Sequence, residues 1–106
     1  MRQLSPTQLK EHLETVESQP LLLDVREPWE YDTCHLEGSL HIPMGEVVGR
    51  MHELPKDREI VVICHHGVRS MQVVRYLMHN GFDNVINLGG GVDGWAREVD
   101  PDMPLY

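Results

Sequence analysis

Basic residues are scarce in this chain, and so are cysteines, aromatics and long apolar runs. Nine Lys and Arg stand against 17 Asp and Glu, a formal net charge of −8. Nucleic acid and anionic membranes both reward clustered basic side chains, so neither is expected as a partner. The same field opposes small anions, so an anionic substrate has to be drawn in by a local site. No stretch approaches the roughly 20 apolar residues of a membrane span. The opening Met1-Arg2-Gln3-Leu4-Ser5-Pro6 lacks the apolar core of a signal peptide, and the expected location is the cytoplasm. Two cysteines, Cys34 and Cys64, are too few and too far apart for a disulfide scaffold. In a reducing compartment each is a free thiol, and the question is whether either is reactive. With no internal repeat, low-complexity segment or linker, the 106 residues are expected to form one domain over 1–106.

What the chain does have is an alternation of short apolar runs and amphipathic segments. Ser5-Pro6 is a helix start, a side-chain acceptor followed by a ring whose fixed φ suits the first turn. Leu9, Leu13 and Val16 follow at helical spacing, and Gln19-Pro20 ends the segment. Leu21 to Val25 reads as a strand buried on both faces, Ser39 to Ile42 as a second short strand, and Val47 to Leu54 as a short helix. Glu59 to Cys64, rich in β-branched residues, is the strongest strand signal. Ser70 to Asn80 reads as a helix with Gly81 behind it, Val85 to Leu88 as the last strand, and Gly89-Gly90-Gly91 as the turn into a final helix around Trp95. Buried-type strands alternating with helices predict an α/β fold, a parallel sheet covered on both faces. Such sheets bind ligands beyond the carboxyl ends of their strands, which is where Cys64 falls.

The chemistry concentrates in Cys64-His65-His66-Gly67-Val68-Arg69-Ser70. A loop bending from strand into helix turns successive N–H groups inward and makes a nest for an anion. The helix that follows adds the positive end of its dipole. His65, His66 and Arg69 add donors and positive charge at the rim, and Gly67 frees the backbone for a tight bend. All of these favour thiolate over thiol, and the thiolate is the nucleophile. A lone cysteine at a strand end is more often a buried small hydrophobe; the loop, glycine, arginine and helix start in register argue for a working thiol.

These residues resemble the active-site loop of the rhodanese family. Asp24-Val25-Arg26-Glu27-Pro28, Glu30-Tyr31 and His35 to Pro43 are similar to that family's first signature, and Leu88 to Gly91 with Gly94-Trp95 to its C-terminal one. The resemblance covers nearly the whole chain and is closest to the short, single-domain members. It implies a five-stranded parallel sheet with helices on both faces. It also implies a thiosulfate:cyanide-type sulfurtransferase in which Cys64 is catalytic and carries sulfane sulfur as a persulfide. His65, His66, Gly67, Val68, Arg69 and Ser70 would bind substrate. The partners would be a small-molecule sulfur donor and a thiol or protein acceptor, with no cofactor. Two positions depart from the pattern. Cys34 stands where the family commonly has glycine and reads as packed rather than as a resolving thiol. His65 and His66 stand where thiosulfate users carry basic residues.

Two other readings compete. A rhodanese-like binding or sensor module without turnover would share the fold; such relatives have often lost the cysteine that is kept here. A phosphatase or arsenate reductase of related architecture has five residues between Cys and Arg, and only four lie between Cys64 and Arg69. No metal site is expected: Cys34-His35 and Cys64-His65-His66 lack the spacings of structural zinc ligands, and His12, His52 and His79 read as solvated helix residues. Arg26 and Glu27 are expected to pin the loop after their strand, and Trp29, Tyr31 and Trp95 to be packing anchors.

Overall fold

Parallel pairing runs through the whole sheet. The computed structural model describes residues 2–106; Met1, with which the opening segment begins, lies outside them. The strands are β1 (Arg2–Leu4), β2 (Leu21–Asp24), β3 (Leu40–His41), β4 (Ile60–Ile63) and β5 (Val85–Leu88), in spatial order β1-β5-β4-β2-β3. The helices are α1 (Pro6–Thr15), α2 (Pro28–Thr33), α3 (Val47–Arg50, flanked by 3₁₀ turns), α4 (Val68–His79) and α5 (Gly91–Glu98).

Strand β4 shows why the sheet is covered twice. Its side chains alternate, so Ile60 and Val62 enter one apolar cluster with Val73, Val74 and Leu77 of α4, while Val61 and Ile63 enter another with Leu9 of α1 and Val92 of α5. All four are fully buried. At about 1.5–3 kcal/mol for each buried side chain of this size, β4 is firmly held in the sheet. Cys64 follows it directly, and a strand so fixed gives the thiol a rigid mount.

Several expectations need correction. The strand β1 was not anticipated: three residues at a sheet edge, two of them exposed, carry no apolar run. Helix α2 is likewise new; six residues give too little periodicity to read. Helix α4 begins at Val68, two residues before the expected Ser70, which brings its N-terminus onto the loop itself. Trp29 is 62% exposed, so it is no packing anchor, and Met78 on α4 also faces solvent. His12 contacts Glu59 and is partly buried rather than freely solvated. No helix among the described residues is long and apolar enough to cross a membrane.

Candidate active site

Cys64 is 1% exposed and lies where β4 meets the turn into α4. The turn is made by Gly67, whose φ of +99° is left-handed backbone that a side chain rarely adopts. A Cβ there would also meet Gly90 N and Leu88 O at 3.2 Å. The bend aims the Gly67 N–H at Cys64 Sγ, 3.0 Å away. Val68, Arg69 and Ser70 open α4, and their N–H groups have no acceptor within the helix, as at the start of any α-helix.

Ser70 is turned inward, with its Oγ 3.3 Å from Cys64 Sγ. Its own hydroxyl donates to Asn87 Oδ1. Asn87, buried on β5, is locked in that orientation because its Nδ2 donates to Gly67 O (3.2 Å) and to Gln3 Oε1 (2.9 Å). The thiol therefore donates to Ser70 Oγ, which leaves the Gly67 N–H as the donor directed at sulfur. Asn87 did not emerge from the sequence: an asparagine inside an apolar run of β5 was the available signal.

Arg69 does not stand free at the rim. Its Nη1 and Nη2 donate to Glu30 Oε1 (2.7 Å) and Oε2 (2.9 Å), a bidentate pair that ties the loop to α2. The Arg69 guanidinium holds the Glu30 carboxyl down to about 2, against the penalty of its burial. Tyr106 OH also donates to Glu30 Oε2 (2.8 Å) and accepts from Arg26 Nη1 (2.8 Å). Arg26 is fully buried and pins the loop after β2 as expected. It donates to both Asp24 oxygens, to Glu30 O (3.2 Å) and to Cys34 O (2.6 Å). Glu27, by contrast, is exposed, and its backbone N–H takes Glu30 Oε1. The Tyr106 ring stacks on His65 at 3.9 Å and meets Trp29 edge-on at 5.6 Å. Glu30 was read only as part of a motif, and Tyr106 was not singled out; both reach the loop through long-range folding.

On the other side, α5 closes against the loop. The Val92 and Asp93 N–H groups donate to Cys64 O (2.9 Å) and His65 O (3.0 Å). Gly91, with φ of +58°, lets the backbones approach so closely that a Cβ would lie 2.4 Å from both carbonyl oxygens. His65 is half-buried between Tyr106 and His66, and burial followed by the His66 charge pushes it below the usual histidine value. His66 is exposed, and Val68 is 68% exposed. Ring nitrogens of His65 and His66 and a carboxylate oxygen of Asp93 lie within 4.8 Å of one another, a set the spacing along the chain did not suggest. Cys34 is buried at the end of α2 and is a free thiol like Cys64.

Comparison with known proteins gives one consistent outcome. A family model, the rhodanese-like domain, matches residues 5–98. A sulfurtransferase of Allochromatium vinosum is 43% identical over 81 residues, covering 76% of each chain. The adenylyltransferase and sulfurtransferase uba4 of Ogataea parapolymorpha is 35% identical over 82% of this chain, which spans 23% of that longer protein. The solved rhodanese-like domain protein of Staphylococcus aureus superimposes with a TM-score of 0.83 at 30% identity, over 100% of this chain and 99% of that one.

Proposed function

The chain belongs to the rhodanese-like domain family, and we propose that it is a sulfurtransferase in which Cys64 carries sulfane sulfur as a persulfide. The observation that carries this reading is the buried Cys64 Sγ facing the Gly67 N–H at 3.0 Å, at the start of α4. That environment suits one added anionic sulfur, and the four-residue interval to Arg69 keeps the pocket small.

The cycle is a two-step displacement. Cys64 loses its proton, and its thiolate attacks the outer sulfur of a donor such as thiosulfate. The S–S bond of the donor breaks, sulfite leaves with the electron pair, and Cys64 holds a terminal persulfide sulfur. A nucleophilic acceptor then attacks that sulfur and releases the Cys64 thiolate. The acceptor is cyanide in an assay, or a thiol or protein thiol otherwise. In the anionic states the Ser70 hydroxyl turns from Asn87 to the sulfur, and the Gly67 N–H and the first amides of α4 supply the remaining charge stabilisation. Arg69 holds the loop in place through Glu30, and His65 and His66 line the side by which donor and acceptor approach.

Intact-mass measurement after incubation with thiosulfate, without reductant, is the test. We expect a gain of about 32 Da, the mass of one sulfur, that is absent in Cys64→Ser, as covalent catalysis requires. Thiocyanate formation from thiosulfate and cyanide should vanish in the same variant. A wild-type Cys64 left unmodified by every sulfane donor would favour the binding module, and efficient aryl phosphate hydrolysis would favour the phosphatase.

A further inference from the structure

We propose that His65, His66 and Asp93 form a binding site for a divalent transition-metal ion at the rim of the Cys64 loop. Two imidazoles, which are borderline donors, together with one carboxylate suit zinc, cobalt, nickel or copper rather than magnesium or calcium. One donor atom from each residue lies within 4.8 Å of the others. Ligands of a bound ion sit about 2.0–2.2 Å from it, so this set needs only a modest contraction. His66 is exposed and free to make that movement.

A second observation concerns the other histidine of the pair. His65 Nε2 is buried and has no hydrogen-bond partner, the one such side-chain nitrogen or oxygen recorded among the described residues. Buried polar atoms in native proteins are nearly always paired, and an absent ion or water is a standard reason for an exception. The framework is also rigid. Asp93 is anchored to the loop by its N–H on His65 O, and the His65 ring is stacked on Tyr106.

Arg97 is the competitor for the carboxylate. Its Nε takes Asp93 Oδ2 at 3.0 Å, but its side chain is largely exposed and the carboxylate carries a second oxygen. An ion held here would tie residues 65–66 to α5 beside Cys64. It would slow sulfur transfer until a chelator removed it. That consequence rests on the sulfurtransferase reading; the binding itself does not.

Co²⁺ titration of the reduced protein, followed by calorimetry and by absorption, tests the site. Wild type and Cys64→Ser should bind one Co²⁺ per chain with similar affinity and show no thiolate-to-cobalt charge-transfer band. His66→Gln and Asp93→Asn should each weaken binding by about tenfold or more, since even residues behind the ligands are worth that much at metal sites. Arg97→Ala should bind several-fold more tightly, because it removes the competing cation. His66 and Arg97 are both exposed, so these two variants keep the test sound if Asp93→Asn disturbs the fold. Loss of binding in Cys64→Ser, a thiolate band in wild type, or unchanged affinity in His66→Gln would each overturn the proposal. If Co²⁺ binds as described but thiosulfate leaves no sulfur on Cys64, the metal site stands and the sulfurtransferase reading falls.

Discussion

Two adjacent glycines on the same turn should respond very differently to alanine. Gly90 and Gly91 both have positive φ, +79° and +58°. An L-residue in left-handed backbone costs roughly 1–2 kcal/mol, and both substitutions incur that. At Gly90 the new Cβ would have its nearest neighbour, Gly94 Cα, at 3.5 Å, an ordinary contact. At Gly91 it would fall 2.4 Å from Cys64 O and His65 O, and backbone on both sides has to move. Overpacking of that kind adds roughly 1–3 kcal/mol. The movement also strains the hydrogen bonds from the Val92 and Asp93 N–H groups to the same two carbonyls, each worth about 1 kcal/mol. Gly91→Ala should therefore cost about 3–5 kcal/mol and Gly90→Ala about 1–2 kcal/mol, out of a total of roughly 5–15 kcal/mol for a protein of this size. Urea unfolding followed by circular dichroism gives both values. Thiocyanate formation, assayed where each variant is still folded, should survive in Gly90→Ala and collapse in Gly91→Ala, because the displaced atoms belong to Cys64 and His65. Equal losses at the two positions would refute the argument from close approach.

Other expectations follow from the same contacts. Cys34→Ser should retain most of the thiosulfate:cyanide activity, since Cys34 lies at the end of α2 and takes no part in the Cys64 contacts; inactivity equal to that of Cys64→Ser would require a two-thiol mechanism. Glu30 is depressed from 4.5 to about 2, so its stabilising effect is present above about pH 4.5 and is lost as pH falls towards 2. That loss amounts to roughly 3 kcal/mol at most. Stability curves of wild type and Glu30→Gln measured from pH 6 to 2 should converge on the acid side, and parallel curves would detach Glu30 from the effect. Asn87→Ala should lose about 1–3 kcal/mol by leaving buried partners unmatched and should slow sulfur transfer; an unchanged rate would remove Asn87 from the support of Ser70 and Gly67.

What could be read beforehand was whatever is contiguous. The strand β4 announces itself by four β-branched residues in a row, and the Cys64 to Ser70 loop carries its glycine, arginine and helix start within seven positions. The resemblance supplied the fifth strand in number but not in place, because Arg2–Leu4 becomes a strand only by lying beside β5. The second half of the site was hidden for the same reason. Glu30, Asn87, Asp93 and Tyr106 reach the loop across separations of 17 to 39 residues or more, and no local pattern marks an asparagine or a terminal tyrosine as a partner of a distant loop. Arg69 was read as an anion-binding group from its place five positions after the cysteine; its planar fork is in fact held by the buried Glu30 carboxylate, a partner that only the folded chain brings near.

On the proposed reading, an acidic chain that handles anions has to cancel its own field where the chemistry happens. Around Cys64 it does so pair by pair. Asp24 is taken by Arg26, Glu30 by Arg69, and Asp93 by Arg97, which uses three of only nine basic residues. Asp24 and Glu30, both buried, are thus neutralised by ion pairs, and Asp93 by the exposed Arg97. The potential left at the sulfur is then set by short-range dipoles: the Gly67 N–H at 3.0 Å and the open end of α4. Such dipoles fade within a few ångströms, so they act on an atom attached to Cys64 and hardly at all on an anion still in solution. Selection by the site therefore favours a small group that can be bonded to the sulfur over a large anion that would have to be held by charge. That is the requirement of a persulfide, and under the proposed sulfurtransferase reading it is how a chain with a net charge of −8 would carry one.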